Sequence, residues 1–309
     1  MHVVPQEKKS MEKMNFEEFK EAIVSDIKKY MPDSYSEAEV IIRNVDKNNG
    51  TKLTGLVIQK KNQSTVPTIY LEQSFNAYQS GVELEEILTQ ISKIREKYEI
   101  EEVDPSDITD FEKVKGCIVP RLVNAEMNAE QLQQKPHVLV EDLAVIFAIM
   151  LGNSPYDEQM SVQVDNHLAD TWGKSTEELY ELAVSNLEAD NSGRLSTMAE
   201  ILKRTMPAEE VDFFAADLPM YVITTESGIY GANLLLNKKF MDNVISQLGS
   251  DFVILPSSVH ECILITGSEQ EISFLKQMVS EVNGSEVSPE EVLSNNVYRY
   301  SPERGIFAA

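Results

Sequence analysis

Asp251-Phe252-Val253-Ile254-Leu255-Pro256-Ser257-Ser258-Val259-His260-Glu261-Cys262-Ile263-Leu264-Ile265-Thr266 is the stretch on which the fold turns. Two apolar runs, 251–255 and 259–266, flank Pro256-Ser257-Ser258. Proline has no backbone donor, so Pro256 belongs at a turn and the runs predict a β-hairpin. Away from the turn the runs lack polar alternation, which places the pair in the middle of its sheet with both faces covered. His260 and Glu261 then lie just past the turn, on opposite faces of the second strand.

The neighbouring residues extend this pattern. Residues 220–225 read as a strand, Glu226-Ser227-Gly228 as a turn and 231–236 as another strand. Phe240, Met241, Val244, Ile245 and Leu248 form a helical face, and Gly249 stands where a C-terminal cap is needed. Ile272, Leu275, Val279 and Val282 face inward from a second helix that Gly284 ends, and 297–300 make a last strand. Residues 219–309 therefore read as a β-β-α-β-β-α-β domain.

At the other end, Phe16, Phe19, Ile23, Ile27 and Tyr30 keep helical spacing up to Pro32. Residues 39–45 and 53–60 read as strands joined by Asp46-Lys47-Asn48-Asn49-Gly50, and a third strand begins near Thr68. Leu84, Ile87, Leu88, Ile91, Ile94 and Tyr98 give the inner face of a helix. Residues 14–100 thus form an α-β-β-β-α domain after a disordered extension over 1–13. The acidic stretch 99–110, with Pro105, reads as a boundary.

The middle region, 111–218, is mixed α/β. Residues 117–124 and 138–151 are β-like, although the second run reads equally well as a buried helix. Ser175-Thr176-Glu177-Glu178 is a capping box opening a helix to about Glu188, and a further helix is expected over 195–205. The whole predicts an α+β protein: antiparallel sheets with helices on one face, in two to three small subdomains.

The chain has 309 residues with 51 acidic and 27 Lys or Arg side chains, a net charge of −24. A field of that sign repels phosphate backbones and anionic lipid, so neither nucleic acid nor membrane is expected as a partner. The charge is uneven. Residues 83–112 and 157–190 each carry a net −8, whereas 47–71 hold Lys47, Lys52, Lys60 and Lys61 and no acid. With Tyr70 as its only aromatic, that basic island lacks a stacking platform for single-stranded nucleic acid. Cys117 and Cys262 are far apart and form no metal or redox motif. The longest apolar run, 143–151, has nine residues against about 20 for a membrane span, and the N-terminal residues hold no signal-peptide core. A reduced, cytoplasmic protein is expected.

Several motifs fail on inspection. Gly173-Lys174-Ser175-Thr176 imitates a phosphate loop, but Leu168 stands where its first glycine should be. Residues 188–193 imitate a calcium loop, but the twelfth position is Ala199 and not glutamate. His260-Glu261 opens like a zinc-protease motif whose second histidine would be Leu264. No metal and no cofactor is expected. What survives is the hairpin: Ser257, Ser258, His260 and Glu261 are read as a small polar binding pocket. Asn166, His167 and Trp172 are packing anchors or a ligand-stacking group.

The residues also carry a resemblance. Pro219-Met220-Tyr221-Val222-Ile223-Thr224, Tyr230-Gly231-Ala232, 251–261, Glu290-Glu291-Val292-Leu293-Ser294 with Val297-Tyr298, and Asn166-His167 with Trp172 resemble a bacterial domain-of-unknown-function family, number 5688, frequent in anaerobic gut Firmicutes. The C-terminal motif is also distantly similar to YtpQ-like proteins of Bacilli. The resemblance covers nearly the whole chain from about residue 14. It implies a cytosolic bacterial protein and transfers no catalytic residue. The reading is a non-enzymatic binding or regulatory protein with a protein or small-molecule partner; the alternative is a hydrolase using Ser257 or Ser258 with His260.

Overall fold

The computed structural model describes residues 13–61, 63, 66–98, 104–153, 159–203, 206, 220–267 and 271–309. The extension expected over 1–13, apart from Lys13, lies outside the described residues, as do 99–103 of the expected boundary and Pro219. The protein is α+β, with antiparallel sheets. It divides into two compact units, Met1–Asp46 with Lys52–Val103, and Lys47–Thr51 with Asp104–Ala309. Among the described residues no helix is long and apolar enough to cross a membrane.

In the first unit, helix α1 (Phe16–Asp26) starts at a capping box in which Asn15 and Glu18 bond each other's backbone amides. Phe19 and Ile23 on its inner face, and Ile27 just past its end, are completely buried, each such side chain stabilising by roughly 1.5–3 kcal/mol. Strands β1 (Glu39–Asp46), β2 (Lys52–Gln59) and β3 (Thr68–Tyr70) make an antiparallel sheet in chain order. The β1–β2 turn, Lys47–Thr51, is assigned to the second unit and places Asn49 in the left-handed region. Helix α2 (Leu71–Gln79) follows β3 at once and was not expected from the sequence; its apolar positions Leu71, Phe75 and Tyr78 are too few to stand out beside the strand before it. Helix α3 (Leu84–Lys97) corrects one detail. Ile94 is 39% exposed, and Arg95 is buried in its place because the buried face runs through Leu88, Ile91 and Arg95.

In the second unit, the short helix α4 (Pro105–Thr109) replaces the described end of the expected boundary and α5 (Phe111–Val114) follows it, the two capped by Asp104 and Asp110. The run 138–151 is a hairpin, not a helix. Strands β5 (Val138–Val140) and β6 (Leu143–Asn153) reverse at Glu141, whose φ is 55°. They join β4 (Ile118–Asn124) and β7 (Gln159–Gln163) in a four-stranded sheet, with helix α6 (Ala129–Leu132) between β4 and β5 in sequence. Helices α7 (Asn166–Trp172) and α8 (Thr176–Ala189) meet at the phosphate-loop look-alike. Gly173 ends α7 in the left-handed region, and Ser175 with Glu178 boxes the start of α8.

The six-stranded sheet has the order β13-β12-β10-β11-β9-β8. Here β8 is Gly193–Thr197, β9 Met220–Thr225, β10 Phe252–Pro256, β11 Cys262–Thr266, β12 Tyr298–Ser301 and β13 Gly305–Ala308. The β10–β11 hairpin is central, as its unbroken apolar runs require. Phe252 and Ile254 enter one core with Leu264 and Met241, whereas Val253 and Leu255 face Leu275 and Val279 on the other side. This sheet is therefore covered on both faces, one of them by helix α11 (Ile272–Ser285), with helix α10 (Lys238–Leu248) contributing Met241 and Val244 to the other.

Three local expectations change. The helix expected over 195–205 is strand β8 followed by helix α9 (Met198–Leu202), because Thr197 caps that helix and starts it later. The strand expected at 231–236 is a 3-10 helix, Gly231–Leu236; the run has no β-branched residue to favour an extended chain. Val282 is 42% exposed, and its neighbour Asn283 turns inward instead.

Candidate functional site

The strand expected from Val259 begins only at Cys262, so Ser257 through Glu261 form a loop. Its backbone explains why. Ser258 N–H donates to the Glu261 carbonyl at 3.1 Å, and Val259 N–H donates to the Glu291 carbonyl at 2.8 Å. The Val259 carbonyl accepts from Ala232 N–H at 3.3 Å. The His260 carbonyl accepts twice, from Gly231 N–H and from Thr224 Oγ1, each at 2.9 Å. These groups are bonded to the 230–232 turn and to the segment around Glu291 in place of a sheet ladder.

The side chains follow. Ser258, 9% exposed, uses Oγ to accept from His260 N–H at 3.0 Å, which tightens the turn. Ser257 Oγ donates to Glu261 Oε1 at 3.4 Å. His260 Nδ1 accepts from Tyr230 N–H at 3.1 Å. The ring hydrogen therefore belongs on Nε2, which faces Glu291 Oε1 at 3.5 Å. His260 and Glu261 do not sit on opposite faces of a strand, since neither is in one.

Behind the histidine lies a stack. The Tyr230 ring rests against the His260 ring, centroids 5.5 Å apart, and the Arg121 guanidinium covers Tyr230 at 3.6 Å. Tyr230 takes a left-handed conformation, φ 54°, to present both its amide and its ring. Arg121 is 7% exposed, and burial lowers its pKa to about 10, which leaves it cationic at neutral pH. Gly231 is required here by space: a Cβ would stand 2.4 Å from the His260 carbonyl oxygen and 2.5 Å from Thr224 Cα.

The structure thus brings Ser257, Ser258, His260 and Glu261 together and adds Thr224, Tyr230, Arg121 and Glu291. Of these additions, Thr224, Tyr230 and Glu291 fall in the segments that carry the family resemblance. Arg121 had no sequence signal. Asn166, His167 and Trp172 serve elsewhere. Asn166 Nδ2 donates to the Gln133 carbonyl at 3.0 Å, and the Trp172 indole N–H donates to the Ile108 carbonyl at 3.2 Å while its ring packs on Phe111. His167 offers its carbonyl to Thr171 Oγ1.

Neither serine hydroxyl is bonded to a ring nitrogen of His260. A serine nucleophile needs that contact with a base. Burial, reinforced by Glu261, raises the Cys262 thiol far above its ordinary range, which disfavours its thiolate. Among the described residues no three His, Cys, Asp or Glu side chains are grouped to hold a metal. In the calcium-loop look-alike, both Asp190 oxygens are taken by Ser192. Two clefts lie elsewhere: one of about 370 Å³ by Glu188, Arg194, Asn237 and Phe240, the other of about 570 Å³ by Asp107, Lys113, Cys117 and Met150. No residue of the 257–261 loop lines either cleft.

A family model described as a family of unknown function (DUF5688) matches residues 16–302. No curated protein and no solved structure matches the chain.

Proposed function

We propose that this chain, which belongs to the family of unknown function DUF5688, is a non-enzymatic binding or regulatory protein of the bacterial cytosol. We place it with proteins of anaerobic gut Firmicutes and, more distantly, with the YtpQ-like proteins of Bacilli. Its partner is a protein or small molecule, and neither nucleic acid nor membrane is engaged by so acidic a chain. The recognition edge is the 257–261 loop with Glu291. Ser257, His260, Glu261 and Glu291 are each half exposed there, over a backbone that is fixed on every side.

One observation carries this reading. The two ring nitrogens of His260 are engaged by the Tyr230 amide and the Glu291 carboxylate, while the Ser257 hydroxyl turns to Glu261. That is a rigid, polar and largely acidic edge, suited to recognition by donor groups on a partner.

The hydrolase alternative makes a different chemical demand: an activated serine. A fluorophosphonate probe incubated with the whole protein, followed by peptide mass spectrometry, should give no adduct at Ser257 or Ser258. An adduct there that disappears in His260→Ala would replace the binding reading with the hydrolase.

A further inference from the structure

Arg95 is the largest completely buried side chain among the described residues, at 0% exposure. Its partners are few and uncharged. Nε donates to the Ile58 carbonyl at 2.9 Å, Nη2 donates to Gln63 Oε1 at 2.8 Å, and the guanidinium lies over the Tyr35 ring at 5.1 Å. Among the described residues no carboxylate meets it. Nη1 is buried with no hydrogen-bond partner at all. A buried cation without an anion carries a large desolvation penalty, which natural structures ordinarily relieve with a counter-charge.

A second orphan stands beside it. Tyr35 is 2% exposed, and its hydroxyl is also buried without a partner. The Lys60 ammonium lies over the same ring at 4.2 Å. Lys60 and Lys61 belong to the acid-free island at 47–71, which finds no role in the 257–261 loop. Toward solvent, Lys60 and Gln63 are half exposed and Lys61 fully so. That stretch carries four lysines in a chain of net charge −24.

We infer that the first unit holds a binding site for one compact oxyanion, a phosphate or a carboxylate, received by Arg95 Nη1, the Tyr35 hydroxyl and Lys60. The two N–H bonds of Nη1 suit the paired oxygens of such a group, and the tyrosine hydroxyl supplies a third donor. The site is separate from the 257–261 loop and does not depend on its function.

Titration of the whole protein with inorganic phosphate, with acetate and with chloride, at matched ionic strength, tests this by calorimetry and by melting midpoint. Saturable binding of phosphate or acetate, with chloride inert, is the expected result, and whichever anion saturates assigns the class. Lys60→Gln, a half-exposed position that leaves the fold intact, should weaken that binding about tenfold, as loss of one charge-assisted contact does. Tyr35→Phe keeps the ring and should weaken it as well. Equal effects of all three anions, no saturation, or unchanged affinity in both variants would overturn the site. Arg95 Nη1 and Tyr35 would then be served by internal water alone.

Discussion

Gly231→Ala should destabilise the second unit by about 3 kcal/mol, from overpacking together with a weakened hydrogen bond. The added methyl would stand 2.4 Å from the His260 carbonyl oxygen and 2.5 Å from Thr224 Cα. Both are backbone atoms held in place, the carbonyl by two hydrogen bonds and the Cα by strand β9, so neither can swing aside as a flexible side chain would. The backbone of Gly231 itself has ordinary φ, which makes this a test of close approach and not of left-handed strain. The melting midpoint should fall by roughly 6–12 °C, on the scale of ~2–4 °C per kcal/mol for a domain of this size. A shift of a degree or less would mean that the 230–232 turn is not locked to the loop.

Asp142→Ala should cost about as much for a different reason. Asp142 Oδ1 accepts from the Tyr298 hydroxyl and Oδ2 from Ser294 Oγ, both at 2.7 Å. Tyr298 and Ser294 are each 0% exposed. Burial pushes the Tyr298 hydroxyl far above its usual pKa, so it remains a donor that must find an acceptor. Removing the carboxylate strands two buried hydroxyls at roughly 1–3 kcal/mol each, about 2–6 kcal/mol together. Asp142→Asn retains one acceptor oxygen and should lose less. Urea denaturation of the three proteins, with unchanged slopes and ordered midpoints, is the check. Equal midpoints for wild type and alanine variant would remove this residue from the account of how the two sheets of the second unit are tied.

How much of this was legible in the residues differs from place to place. The central hairpin was, because two unbroken apolar runs around a proline admit few other positions in a sheet. The capping box at Ser175 and Glu178 was, because its chemistry is local. The loop that holds the candidate site was only half legible. Val259, His260 and Glu261 continue an apolar strand pattern, and what removes them from the ladder is competition from Gly231, Ala232 and Glu291, distant in sequence. Arg121 stacking on Tyr230 joins residues more than a hundred positions apart and has no periodic signature. The burial of Arg95 runs against the ordinary expectation for an arginine on an amphipathic helix. Ile94 fits the apolar spacing better, and only the packing of Tyr35 and Ile58 decides between them.

The central claim is that the 257–261 loop presents a fixed acidic edge for binding and leaves chemistry to other proteins. The most direct measurement separates that edge from its scaffold. Glu261→Gln combined with Glu291→Gln removes two half-exposed charges and leaves Gly231, Tyr230 and the backbone bonds in place. Capture from extract of the native host, scored for proteins and for small molecules per folded molecule of bait, should lose the partner that the wild-type chain recovers. The melting midpoint should move by no more than a degree or two. Recovery of the same partner in undiminished yield by the double variant would contradict the account.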